Sequence, residues 1–171
     1  MRKILIFDCE IINCIPPQNY EDKNPNLNYC KGWRDFKNMG ISVIGTWRNY
    51  DLVKIFGKYY TIPLPCGKYQ AFVNHNSFIN AFSFPDIVVK DFEQFLRLAM
   101  ISDCIVGFNS RAFDDKLCHA NHLEFTTDFD LLEEVRLAAG MPRHYVRGLT
   151  KSGYNLNNLA LTNLGYGKTK T

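Results

Sequence analysis

Two short segments of this sequence hold the residues whose types and spacing can do chemistry. Asp8 and Glu10 stand one residue apart at the end of the apolar run Ile4-Leu5-Ile6-Phe7. Residues i and i+2 of a strand share a face, so the two carboxylates are expected side by side at the end of a buried strand. Such a pair repels unless a proton or a cation lies between them. A divalent metal is the usual cation, and metals held by carboxylates hydrolyse phosphodiesters in many enzymes. About a hundred residues on comes Gly107-Phe108-Asn109-Ser110-Arg111-Ala112-Phe113-Asp114, directly after the apolar Cys104-Ile105-Val106. A strand ending at Gly107, a turn holding Asn109 and a helix opened by Phe113-Asp114 would carry an amide and a third acid to the strand ends. Open sheets place their sites there. Taken singly, Glu10 could begin a solvated loop, Asn109 could cap a helix and Asp114 could serve its dipole. Together they describe a site.

The elements that must position these residues read as follows. Residues 2–7 form a near-continuous apolar strand, as expected when both faces are covered. Residues 13–38, rich in Asn, Pro and Tyr, form a long loop. Residues 39–47 and 52–57 read as two strands of a hairpin around the turn Arg48-Asn49-Tyr50-Asp51. Residues 58–88, with Pro63, Pro65, Gly67 and Pro85, give no firm element. Phe92, Phe95, Leu96 and Ala99 recur at helical spacing, with Asp91 placed to cap the helix. A short strand at 104–107 follows, then helices at 112–121, 131–139 and 155–164, the last stopped by Gly165. Hairpin strands followed by a strand alternating with helices predict an α/β fold with a mixed sheet flanked by helices.

On both segments the chain resembles the DEDD-type 3′–5′ exonucleases of the ribonuclease H-like superfamily. Their first motif, F-D-x-E at a strand end, is matched by Phe7-Asp8-Cys9-Glu10, and their second, G-x-N-x-x-x-F-D, by Gly107 through Asp114. Met39-Gly40-Ile41-Ser42-Val43-Ile44-Gly45 resembles the strand between the motifs, and Asp128-Phe129-Asp130-Leu131-Leu132 a later segment in which an acid opens a helix. The resemblance covers roughly 1–15, 39–57 and 90–140. It implies a ribonuclease H-like sheet, antiparallel at first and then parallel, and hydrolysis at nucleic-acid 3′ ends with two Mg²⁺ or Mn²⁺ ions about 4 Å apart. Asp8 would bridge both ions, Glu10 would help hold the first, and Asp114 would support the second through water. Asn109, Phe113 and Cys9 would lie beside the substrate. Asp130 or Asp128 is a further acid, or an N-cap for the helix that follows.

The family's third motif, a Tyr or His followed by a final Asp on a helix, has no match. After Asp130 the sequence holds no aspartate, and its only later acids are Glu133 and Glu134. Tyr154 and Asn158 have the spacing, but an amide binds a hard dication far less well than a carboxylate. Two dications carry four positive charges, against three negative charges from Asp8, Glu10 and Asp114. The second ion is therefore expected to bind weakly, or only with substrate. By resemblance the single domain spanning 1–171 is truncated at its C-terminus. Three outcomes follow: a split enzyme completed by a second chain or another copy, a non-cutting nucleic-acid- or protein-binding module, or a site completed by Glu133 or Glu134.

Bulk properties bound these alternatives. With 171 residues, 46% hydrophobic and 22% charged, the chain suits one soluble globular domain. A net charge of +3 gives no strongly basic surface, but a single-stranded 3′ end needs only a local groove. Lys31, Trp33, Arg34 and Lys37 form a basic-aromatic cluster able to hold a strand, or else a solvated loop around one buried Trp. The six cysteines include no C-x-x-C pair, and Cys9 and Cys104 look like small core residues. Asp8 and Glu10 interrupt the N-terminal apolar stretch too early for a signal peptide. A cytoplasmic protein, not one of the membrane, is expected.

Overall fold

The computed structural model describes residues 1–74 and 92–167. Asp91, expected to cap a helix, and the part of the unassigned stretch 58–88 that follows residue 74 lie outside them, as do residues 168–171. The chain resolves into two compact units, Met1–Phe129 and Asp130–Thr171.

In the first unit, strand β1 (Ile4–Ile11) runs beyond the apolar segment, so Asp8 and Glu10 lie within it rather than at its end. Its side chains alternate strictly. Leu5, Phe7 and Cys9 are buried, while Ile6, Asp8 and Glu10 are exposed. The expectation of cover on both faces is thus corrected. Helices α2 (Phe92–Ile101) and α3 (Asp114–Ala120) both send buried residues to the Leu5-Phe7-Cys9 face. The rings of Phe7, Phe72, Phe95 and Phe125 meet there, with centroids 5.1 to 5.9 Å apart. Each such pair contributes about 0.5–1.5 kcal/mol beyond simple burial.

Strands β2 (Ile41–Ile55) and β3 (Lys58–Val73) form the expected hairpin, but its turn is Phe56-Gly57. Both turn residues have positive φ, 46° and 80°, which suits the twist of a two-residue hairpin. The stretch 48–51, expected as the turn, is a register shift inside β2. Two of its side chains find partners within the fold, although Arg48 Nε and Nη1 are buried without one. Arg48 Nη2 donates to Asp51 Oδ1 at 2.7 Å, and the Tyr50 hydroxyl donates to the Leu98 carbonyl at 2.9 Å. Pro63 and Pro65 fall in β3, an edge strand, where a missing N–H is tolerated.

Strand β4 (Cys104–Gly107) lies parallel to β1 on its other side, and the sheet order is β3-β2-β1-β4-β5, with β5 only Phe129–Asp130. This is an α/β fold with a mixed sheet flanked by helices, antiparallel at first and then parallel. A short helix, α1 (Phe36–Met39), ends the 13–38 segment.

In the second unit, Asp130 caps α4 (Leu131–Ala138) by accepting from the Leu132 N–H at 3.1 Å. Asn155 caps α5 (Leu156–Leu164), and Gly165, at φ 73°, closes it in the left-handed conformation. No helix among the described residues is long and apolar enough to cross a membrane.

Candidate active site

The site begins where β4 stops. It pairs with β1 only through Ile4, Leu5 and Ile6, whereas β1 continues to Ile11. Beyond that point the chain turns away from strand geometry at Gly107. Here glycine is required by space: a Cβ would lie 2.2 Å from Ser110 Oγ and 2.4 Å from Ser110 Cβ. Ser110 is fully buried, and its carbonyl accepts from the Phe113 and Asp115 N–H groups at 3.1 and 2.9 Å. Between them Asn109 takes φ 61°, a conformation that asparagine tolerates better than most residues. Spacing alone pointed to Gly107 and Asn109; the structure supplies their steric reasons.

This turn delivers Asp114 to the first position of α3. Its carboxylate accepts from the backbone N–H of Cys9 and lies close enough to Asp8 to feel its charge. Burial, and then the Asp8 charge, push the Asp114 carboxyl up to about 7, far above the ordinary carboxylate range. Asp8 and Glu10 share the exposed face of β1, opposite Gly45 and Val43 of β2. Cys9 presents only its backbone to this site. Its side chain is buried with Sγ 3.7 Å from Cys118 Sγ, and that contact and burial push its thiol pKa up. Phe113 packs edge-on against Trp33 and Phe36, at 6.3 and 5.7 Å between centroids.

No family model and no curated protein matches this chain. Among solved structures it is similar to the family B DNA polymerase from the hyperthermophilic archaeon Pyrobaculum calidifontis. That match is 17% identical with a TM-score of 0.35 and covers 72% of this chain and 12% of the polymerase. It is also similar to an ExoI/SSB-Ct complex, 12% identical with a TM-score of 0.44, over 95% of this chain and 36% of that one. The chain therefore spans well under two thirds of either.

The other acids have structural duties. Asp128 Oδ2 accepts from the Ile105 N–H at 2.8 Å, and Asp130 is an N-cap. Asp115, which the motif does not single out, is buried and clamps Thr127 through its N–H at 3.1 Å and its hydroxyl at 2.7 Å. Arg111 secures the same segment, its Nε donating to the Thr127 carbonyl at 3.1 Å and its Nη2 to the Asp128 carbonyl at 2.6 Å. In the second unit Glu133 faces Arg143 at 3.6 Å and His144 at 3.3 Å, and Glu134 faces Arg143 at 3.5 Å.

Asp8, Glu10 and Asp114 offer only oxygen, the donor set of Mg²⁺ and Mn²⁺. Among the described residues no three His, Cys, Asp or Glu side chains converge as a formed metal cage. An all-oxygen set of this kind suits a hard cation that keeps part of its water shell. A carboxyl raised by burial and then by an acidic neighbour is the electrostatic condition that such a cation relieves.

Proposed function

We propose that this chain is a metal-dependent 3′–5′ exonuclease domain that hydrolyses phosphodiester bonds at single-stranded nucleic-acid ends. The observation that carries this reading is the Asp8–Asp114 pair, two acids from segments about a hundred residues apart in sequence, in which burial and then the Asp8 charge lift Asp114 to about 7. Asp8, with Glu10 beside it on β1 and Asp114 from α3, would hold Mg²⁺ or Mn²⁺. When bound, ions of this class supply an activated water and a counter-charge for the departing 3′ oxygen. The protein's part is positional. The β1 backbone sets the spacing of Asp8 and Glu10, and the Cys9 N–H anchors Asp114. The Gly107–Ser110 turn fixes the start of α3.

The deciding assay is degradation of a 3′-labelled single strand with Mg²⁺ or Mn²⁺, with shortening expected from the 3′ end and abolished by Asp8→Ala. Cleavage that survives Asp8→Ala overturns the proposal. A non-cutting nucleic-acid- or protein-binding module is the second reading, because Asp8, Glu10 and Asp114 bring three negative charges against the four positive charges of two dications. It predicts strand binding without shortening at any metal concentration.

A further inference from the structure

Trp33 is not the buried anchor of a solvated loop: 69% of its surface is exposed. An exposed indole of that size is unusual for a side chain with no task, because tryptophan is highly buried on average. Its position is also defined. The ring stands edge-on to Phe113, the residue directly before Asp114, and Phe36 flanks Phe113 on another side. Three aromatic rings thus connect the 13–38 segment to the acid of the second motif.

The surroundings carry positive charge. Lys31, Arg34 and Lys37 are all exposed, and Lys31, Gly32, Trp33, Arg34 and Asp35 line an open depression. The one acid in the run is engaged by the turn itself. Asp35 accepts from the Lys31 N–H and from Asn38 Nδ2, both at 2.8 Å, and these bonds hold its carboxyl below the ordinary range. What faces outward is therefore a flat apolar ring among three cations.

We infer that Trp33 is a stacking platform for a base of single-stranded nucleic acid, with Lys31, Arg34 and Lys37 on its phosphates, feeding the strand toward Asp114. Phosphates match the charge, and an indole face accepts any base, so the site selects for unpaired strand rather than for sequence. A duplex end, whose bases are already stacked and paired, gains nothing from it. The inference deepens the nuclease reading and rests on it for the direction of the strand, but binding itself is separable from cutting.

The test is fluorescence anisotropy of a labelled single-stranded oligonucleotide with the full chain in EDTA, where any metal contribution is removed. Trp33→Ala is expected to weaken binding about tenfold, the loss of one base–aromatic stack, and Trp33→Tyr to restore most of it. Phe56→Ala, which removes an exposed aromatic at the hairpin tip, is expected to leave affinity unchanged. In the unaltered protein the Trp33 indole N–H resonance should shift on titration, a readout that does not depend on any variant folding. Equal affinity for Trp33→Ala and wild type, or an unmoved resonance at saturation, overturns the platform. If the platform fails while Asp8→Ala still abolishes cleavage with Mg²⁺, the nuclease reading stands without it. Binding through Trp33 without cleavage by the wild type supports the platform and removes the nuclease reading.

Discussion

The backbone N–H of Cys9 donates to the carboxylate of Asp114, so the second acidic segment is bonded to the very residue that separates the two acids of the first. This contact occupies the flank of β1 that β4 leaves when it ends at Gly107. The contact itself favours the charged carboxylate, but burial and then the Asp8 charge outweigh it and raise the Asp114 pKa.

Stability without metal should therefore depend on pH through Asp114. Its folded-state pKa of about 7 lies above the ordinary 3.8, so the folded protein holds this proton more tightly than the unfolded chain. The associated stability is fully present below about pH 4 and is lost as pH rises through 7. At 1.36 kcal/mol per pH unit the window is worth on the order of 4 kcal/mol. Asp114→Asn keeps an acceptor for the Cys9 N–H and removes the titration. Urea unfolding in EDTA at pH 5 and pH 8 should show the variant gaining on wild type as pH rises. A difference that does not change with pH would mean that Asp114 titrates as an ordinary carboxylate.

A divalent ion should reverse that penalty. At pH 8, ten times Kd of Mg²⁺ or Mn²⁺ adds about 1.4 kcal/mol to the folded state, a rise of a few degrees in Tm for a chain of this size. Thermal unfolding should show this rise in wild type and lose it in Asp8→Ala. An equal rise in both would place the ion elsewhere.

Local signals made part of this architecture legible in the sequence. Cys104–Gly107 is short, apolar and closed by a turn motif, and the helices after Asp130 and Asn155 begin with good capping residues. The hairpin turn was hidden because Phe56-Gly57 lacks the usual polar signature, while Arg48-Asn49-Tyr50-Asp51 imitates one. Only the nonlocal bond from Tyr50 to Leu98 and the Asp51 partner of Arg48 reveal that this polar stretch is buried. The site shows the same division. Spacing marks Asp8, Glu10 and Asp114 as candidates. The Asp115 clamp on Thr127 and the Trp33 contact with Phe113 depend on segments that meet only in the fold.

Gly107 tests whether the turn's geometry is as tight as it looks. A methyl group there meets Ser110 at 2.2–2.4 Å, and Phe7 lies behind it at 3.6 Å. Gly107→Ala should cost about 1–3 kcal/mol, the range for overpacking a filled core. Ser110→Gly in the same chain removes the opposing side chain and should recover part of the loss. Chemical denaturation of both variants measures this directly, and an Ala variant as stable as wild type would show that the turn yields easily.

Asn109 has the backbone duty that its φ shows and, in the proposed reading, a second one for its amide, and one pair of variants divides them. Its φ of 61° is strained for alanine and free for glycine, so Asn109→Ala should lose about 1 kcal/mol while Asn109→Gly stays near wild type in this respect. If the residue serves only the turn, the Gly variant should also cleave a single strand at the wild-type rate. If the amide positions substrate, Asn109→Gly should fold normally and still lose about tenfold or more in kcat/KM, because a well-placed hydrogen bond to the reacting group is worth at least that much. The expected outcome is the second. Glycine accepts the φ of this position, so a loss of rate in a normally folded Asn109→Gly reports on the amide rather than on backbone strain.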